Sequence, residues 1–192
     1  MSSIDDRIHY KSGEVILSIG YYSAKEIDNL FSTKPPEYLE AYEPRTDVFG
    51  QYMKLSRVYP AIHPVNKAVA GDERAVTLSG KRTGTTICMP LDENRPVLTT
   101  VALKDVITNV VNEHGRIDKL MMNCEGSEID IILKTPSEYL EQCRTIIVSF
   151  HRFVDELKIG EKIYQQCLKK LSITHKGLLL HKTRYWWRFN RG

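Results

Sequence analysis

Short apolar runs alternate with amphipathic stretches along this chain. Val15-Ile16-Leu17-Ser18-Ile19 is an apolar run closed by Gly20 and predicts a buried strand. Ser23-Ala24-Lys25-Glu26 has capping-box spacing. It opens a helix through about Phe31, with Ile27, Leu30 and Phe31 on one side and Lys34-Pro35-Pro36 as its stop. Tyr38–Tyr42 predicts the second strand. Pro44 suits the first turn of a helix over 45–56. Ala61–Val69 reads as a third strand, Ala75–Leu78 as an extended piece, and Ser79–Thr86 as a flexible Gly/Ser/Thr loop. Val97–Val101 is extended. Leu103, Val106, Ile107, Val110 and Val111 then mark a helix face that Gly115 closes.

The strongest segment runs from 117 to 134. Ile117–Asn123 is an apolar strand that ends abruptly in Asn123-Cys124-Glu125-Gly126, and a helix follows over Ser127–Lys134. A short helix over 137–142 and a strand from Thr145 to Phe150, leading to His151, come next. Gly160, Ile163, Tyr164, Cys167, Leu168 and Leu171 form a helical stripe. Ile173–His181 and Arg184–Phe189 predict a closing hairpin around His181-Lys182-Thr183. Strand and helix alternate until that hairpin. The pattern predicts an α/β fold with a mostly parallel, doubly wound, Rossmann-like sheet and a reversed strand at the C-terminal end. Residues 1–13 read as a polar lead-in and 14–192 as a single domain. In such sheets ligands sit at the carboxyl ends of the strands, where Asn123, Glu125 and Glu128 fall together.

Composition narrows the classes. The 192 residues are 42% hydrophobic, enough for one cored domain. The net charge is +3, with basic residues spread along the chain apart from Lys182, Arg184, Arg188 and Arg191, so nucleic-acid binding is not expected. Cysteines 88, 124, 143 and 167 form no CxxC pair. Cys124, Cys143 and Cys167 read as small buried thiols, and the set fits a reducing, cytoplasmic compartment rather than a zinc site. No apolar run approaches the ~18 residues of a membrane span.

Glu43 ends the second strand, roughly 20 residues after Gly20, where a carboxylate that binds ribose hydroxyls is expected. A solvated loop charge is the competing reading. Four segments in order then resemble the FkbM-type methyltransferases, which use S-adenosylmethionine (SAM). Leu17-Ser18-Ile19-Gly20-Tyr21-Tyr22-Ser23 resembles the family's Asp-Val-Gly-Ala-Asn-x-Gly, and Ala41-Tyr42-Glu43-Pro44 its Phe-Glu-Pro. Val65-Asn66-Lys67-Ala68-Val69-Ala70-Gly71-Asp72 resembles Val-Asn-x-Ala-Val-Gly-Asp. Leu120 through Glu128 resembles Leu-Lys-Ile-Asp-Val-Glu-Gly-x-Glu. The likeness covers about residues 14–151. It implies a class I methyltransferase fold, SAM as cofactor, and a sugar hydroxyl as acceptor, such as a deoxyhexose (rhamnose, for instance) in a glycan. It implies that Ser18, Gly20, Tyr22, Glu43, Arg45, Ala68 and Asn123 bind the cofactor.

The chain departs from the family pattern at four positions. Ser18 and Asn123 stand where the family has aspartates, Ser23 where it has the second glycine, and Ser149 where it has the acid of Glu-x-His. Serine and asparagine can hydrogen-bond to the cofactor but cannot offset a sulfonium charge. These changes motivate a rival reading, a non-catalytic Rossmann-like domain that binds a partner or glycan. For transfer to a hydroxyl, Glu125 and His151 are the candidate bases, since both follow strand ends on one sheet edge. Glu125 could instead cap the following helix, and His151 could be a strand-end histidine held by a backbone carbonyl. A divalent metal is compatible with the oxygen-rich edge but not required. The Tyr185–Phe189 run places Trp186 and Trp187 on opposite faces of a strand, so one of them is expected to be exposed.

Overall fold

The computed structural model describes residues 11–20, 24–79, 86–88, 91, 93–151, 160–181 and 186–192. Seven strands form the main sheet: β1 (Val15–Gly20), β2 (Tyr38–Tyr42), β3 (Ile62–Val65), β9 (Ile117–Asn123), β10 (Cys143–Ser149), β11 (His175–His181) and β12 (Trp186–Arg191). Their order is β11-β12-β10-β9-β1-β2-β3. From β3 through β10 the pairings are parallel, while β12 runs antiparallel to both of its neighbours. This is the mostly parallel sheet with one reversed strand that the alternation of elements predicts. Five short strands lie between β3 and β9. They are β4 (Val69–Ala70), β5 (Ala75–Ser79), β6 (Thr86–Cys88), β7 (Val97–Thr99) and β8 (Val101–Ala102). β4 pairs with β8, and β5 sits between β6 and β7.

The sheet is covered on both faces, which is why its central strands read as apolar runs. On one face Leu17, Ile19, Leu120, Met122, Ile146 and Val148 pack on three helices, α3 (Leu103–His114), α4 (Ser127–Lys134) and α6 (Glu161–Leu171). Leu140 of the short α5 (Ser137–Leu140) joins them. On the other face Ile16, Leu39, Met121 and Ile147 meet α1 (Ala24–Thr33) and α2 (Thr46–Ser56) through Ile27, Leu30, Phe31 and Tyr52. Strand alternation thus divides β1 into Val15, Leu17 and Ile19 on one side and Ile16 and Ser18 on the other. Gly115, at the left-handed C-cap of α3, ends that helix as its position predicts.

Two extended stretches read as single pieces are each divided in the structure. The third strand, read through Val69, splits into β3 and β4. The Asn66 side chain there donates to the Glu43 carbonyl at 2.8 Å, and Lys67 N–H turns back to the Val65 carbonyl. The 97–101 piece splits at Thr100, whose buried hydroxyl donates to the Asp72 carbonyl and accepts from Arg74 N–H. Pro64 is tolerated because β3 is an edge strand. Trp186 and Trp187 do face opposite sides, but neither is exposed. Trp186 packs on the α1/α2 layer, and the Trp187 indole N–H donates to the Tyr164 hydroxyl at 2.8 Å. The Ser23 cap, the 80–85 part of the loop and the 182–185 hairpin turn lie outside the described residues.

A charge network fastens the β4–β5 turn to α4. Arg74 pairs with Asp72 and, at 2.8 Å, with Asp130. Lys134 reaches Asp72 at 2.9 Å and Asp130 at 3.0 Å. Gly71 N–H also donates to Asp130, and a Cβ at Gly71 would lie 2.7 Å from the Asp130 carbonyl oxygen. Among the described residues no helix is long and apolar enough to cross a membrane. Cys124, Cys143 and Cys167 are free thiols.

Candidate active site at the carboxyl edge of the sheet

A cleft opens at the carboxyl ends of β1, β2 and β9, the edge at which ligands bind in sheets of this kind. Its floor is the crossing of β1 and β9, where Gly20 lies opposite Asn123. Gly20 has φ +86°, and a Cβ there would stand 2.8 Å from the Asn123 carbonyl carbon and closer still to its oxygen. Only glycine lets these two strand ends approach so closely. Ile19, Tyr42, Val48, Val69 and Leu78 give the cleft an apolar bed. Glu43, Arg45, Asn123 and Glu125 supply its polar groups.

Glu43 is 4% exposed. One carboxylate oxygen accepts from Arg45 N–H at 2.8 Å, and the other makes no hydrogen bond among the described residues. Burial pushes its carboxyl up to about 7, against a smaller lowering by the Arg45 backbone and charge. The Arg45 guanidinium is itself directed to Asp47, 2.5 Å away. A carboxyl raised on folding binds more protons folded than unfolded between 4.5 and about 7, so stability falls as pH rises through that window. The full cost is on the order of 3 kcal/mol. Glu43→Gln is therefore expected to flatten the stability–pH slope between those values. Urea melts at pH 5, 6 and 7 would test it, and an unchanged slope would clear Glu43 of the effect.

The turn from β9 into α4 carries the second polar group. Glu125 has φ 51° and is the sole non-glycine residue with positive φ among the described residues. Gly126 follows at φ 99° as the N-cap of α4. Holding a glutamate in the left-handed region costs about 1–3 kcal/mol and aims its side chain into the cleft rather than along the helix. Capping comes instead from Glu128, fully buried, whose Oε2 accepts Gly126 N–H at 2.9 Å and the Cys124 thiol at 3.5 Å. Its Oε1 accepts His151 N–H at 2.6 Å and lies 3.0 Å from His151 Nδ1. His151 Nε2 lies 3.5 Å from Glu125 Oε1. Burial opposes ionisation of all three groups. For Glu125 it prevails and raises the carboxyl; for Glu128 and His151 their mutual contact outweighs it, lowering the acid and raising the base.

The structure gathers Gly20, Glu43, Arg45, Ala68, Asn123 and Glu125 around one cleft. It does not bring Ser18 there. Ser18 points to the α1 face beside Ile27 and Leu30, with its hydroxyl buried and, among the described residues, without a hydrogen-bond partner. His151 does not line the cleft either. It sits 6% exposed behind Glu125, held both by the Glu128 carboxylate and by a hydrogen bond to the Ser149 backbone. Tyr22 lies outside the described residues. Sequence reasoning missed Glu128 as the anchor of His151. The signal available was its place in the first turn of α4, where a carboxylate meets free N–H groups. Leu78 gave no local sign, because it reaches the cleft only through the β5 pairings. Among the described residues no group of three or more His, Cys, Asp or Glu side chains is arranged to hold a metal ion.

The parallel order with a reversed β12 and a cleft over β1, β2 and β9 defines the class I methyltransferase fold, a Rossmann-like architecture. No protein-family model matches the sequence, and no curated protein matches it. Among solved structures the chain is similar to the FkbM methyltransferase of Methylobacillus flagellatus, with 15% identity and a TM-score of 0.63. That match covers 95% of this chain but 44% of the other, so the chain spans less than half of its neighbour's length. It is also similar to a protein of the NADB-Rossmann superfamily from Streptococcus agalactiae (12% identity, TM-score 0.55, 100% of this chain and 69% of that one). A third is the Aeropyrum pernix fibrillarin solved with natively bound SAM (12% identity, TM-score 0.50, 95% of this chain and 67% of that one). The resemblance read from the motifs thus extends to the fold.

Proposed function

We propose that the protein is a SAM-dependent O-methyltransferase whose cofactor occupies the Glu43–Asn123 cleft and whose acceptor is a sugar hydroxyl in a glycan. The observation that carries the reading is Glu43. It is a nearly buried carboxylate at the end of β2, with one oxygen spent on Arg45 N–H and the other left toward the cleft. That arrangement suits the vicinal hydroxyls of a ribose. When bound, SAM supplies a methyl group on a sulfonium sulfur. Gly20 gives the cofactor close approach to the backbone, Asn123 offers hydrogen bonds, and Ala68 and Arg45 complete the wall. Tyr22 and Ser18 belong to the first loop and strand that the motif resemblance assigns to the cofactor. Glu125 and His151 form the proton-handling end. The sugar acceptor rests on the motif resemblance alone. Because the same fold serves a fibrillarin and a dimethyladenosine transferase of Plasmodium falciparum, RNA belongs in the acceptor panel.

A second reading is favoured by the missing charges. Among the described residues Glu43 and Glu125 are the only carboxylates lining the cleft, since Asn123 is neutral and Ser18 faces elsewhere. A binding domain without turnover needs no more than that. Calorimetric titration with SAM separates the two, and absence of heat and of any thermal shift would sink the enzyme reading. Given binding, mass spectrometry of glycans and RNA incubated with SAM identifies the acceptor by its added methyl. Glu43→Ala is expected to weaken SAM binding by about 1.5–3 kcal/mol, roughly 10- to 150-fold, because the ribose loses a charged acceptor. Unchanged affinity would remove Glu43 from the cofactor site.

A further inference from the structure

Two glutamates flank one imidazole, and only one of them reaches the cleft. Glu128 is 0% exposed and Glu125 lines the cleft, with His151 between them. We infer that His151 is a locked imidazolium positioned by Glu128, and that Glu125 alone takes the proton of the acceptor hydroxyl. The inference rests on the methyl-transfer reading above and deepens it by dividing the roles of the two candidate bases.

Charge balance in the buried pocket carries the argument. Glu128 is surrounded by donors: Gly126 N–H, His151 N–H, His151 Nδ1 and the Cys124 thiol. A donor-only environment of this kind is built for an ionised carboxylate, which can only accept. The thiols of Cys124 and Cys167 face it, and burial keeps both neutral, Cys167 pushed up to about 12 and Cys124 also well above its usual range. Among the described residues the one group that can carry a compensating positive charge against Glu128 is His151. An isolated buried carboxylate is far more costly than a paired one, so the proton stays on the ring. With both ring nitrogens protonated, His151 has no lone pair to accept another. Its Nε2–H points its charge at Glu125 Oε1, 3.5 Å away. That orients a carboxylate already aimed into the cleft by its left-handed backbone.

The resulting step balances. A lone pair of the acceptor oxygen forms the bond to the methyl carbon. The carbon–sulfur bond breaks, with its electron pair left on sulfur as a neutral thioether. The hydroxyl proton passes to a Glu125 oxygen. Glu128 and His151 gain and lose nothing. They are positioning residues, and Glu125 is the group that touches the acceptor.

Imidazole ¹⁵N spectra of the wild-type protein, assigned by loss of signal in His151→Gln, test the first half without cofactor or acceptor. Both ring nitrogens of His151 are expected to remain protonated at about pH 7–8, where an ordinary histidine is neutral. In Glu128→Gln the ring is expected to become neutral. An unprotonated ring nitrogen in the wild-type protein at pH 7 would overturn the inference, whether or not the variant folds. In the transfer assay Glu125→Gln is expected to lose at least about 100-fold in turnover with SAM affinity kept within about twofold. His151→Gln is expected to retain residual turnover and to move the acidic limb of the pH profile upward, since Glu125 loses a neighbouring cation. Full activity in Glu125→Gln would overturn the assignment. A wild-type protein that binds no SAM would instead sink the methyl-transfer reading, whatever the imidazole spectrum shows.

Discussion

Glu128→Ala is expected to lower the stability of the fold by about 3–5 kcal/mol. The substitution removes the counter-charge of a histidine that is itself 6% exposed, and it strands the N–H groups of Gly126 and His151 that share the carboxylate. Without its counter-charge the buried ring has to give up its proton, and that cost adds to the unsatisfied donors and the cavity left behind. Glu128→Gln, which keeps the shape and part of the hydrogen bonding, is expected to cost less. Adding His151→Ala to Glu128→Ala is expected to cost less than the sum of the two single changes, because both remove the same paired contact. The pair also has a pH signature. Glu128 is lowered on folding, so its contribution is present above about 4.5 and is lost as pH falls through the lower folded value. His151 is raised, so its contribution is full below about 6.5 and is lost as pH rises through the higher folded value. Urea denaturation across pH checks both. A Glu128→Ala protein within about 1 kcal/mol of wild type would refute the buried-charge account.

Gly20→Ala is the second large effect. The residue combines φ +86° with a Cβ position 2.8 Å from the Asn123 carbonyl carbon. Relief by a side-chain rotation is unavailable, since the obstructing atoms are the backbone of the neighbouring strand. The backbone strain is worth about 1–3 kcal/mol and the forced separation of strand ends a similar amount. A loss of at least about 3 kcal/mol, or a fall in melting temperature of roughly 6–12 °C, is expected by calorimetry. Displacing Asn123 also opens the floor of the cleft, so SAM affinity is expected to fall at least about 10-fold, a cost of about 1.4 kcal/mol. Wild-type melting together with wild-type affinity would show that the β1–β9 contact is looser than its geometry implies.

Much of this was legible in the chain. The Leu120-Met121-Met122 run, with both faces covered, reads as a central parallel strand, and the glycine after β1 and the glutamate after β2 mark the two walls of a cleft. Local pattern carries these because burial and turn chemistry act over a few residues. The facing of Ser18 was legible too, since it shares a side with Ile16 and not with Ile19. The partnership of Glu128 with His151 joins residues 23 apart through a strand and a helix, and no local rule encodes it. The β4–β8 and β5–β7 pairings are likewise set by which strands meet, not by composition.

The sheet order has a consequence for synthesis. β1 lies between β2 and β9, and the Ile16–Lys119 register joins residues a hundred positions apart in the chain. Emerging from the ribosome, β1 can pair with β2 almost at once, but its other edge stays bare until β9 is made. At ordinary elongation rates of about 5–20 residues per second that interval is roughly 5–20 s. For that time one edge of a strand buried along its whole length in the finished fold is an open template, and the yield of folded chain depends on what shields it.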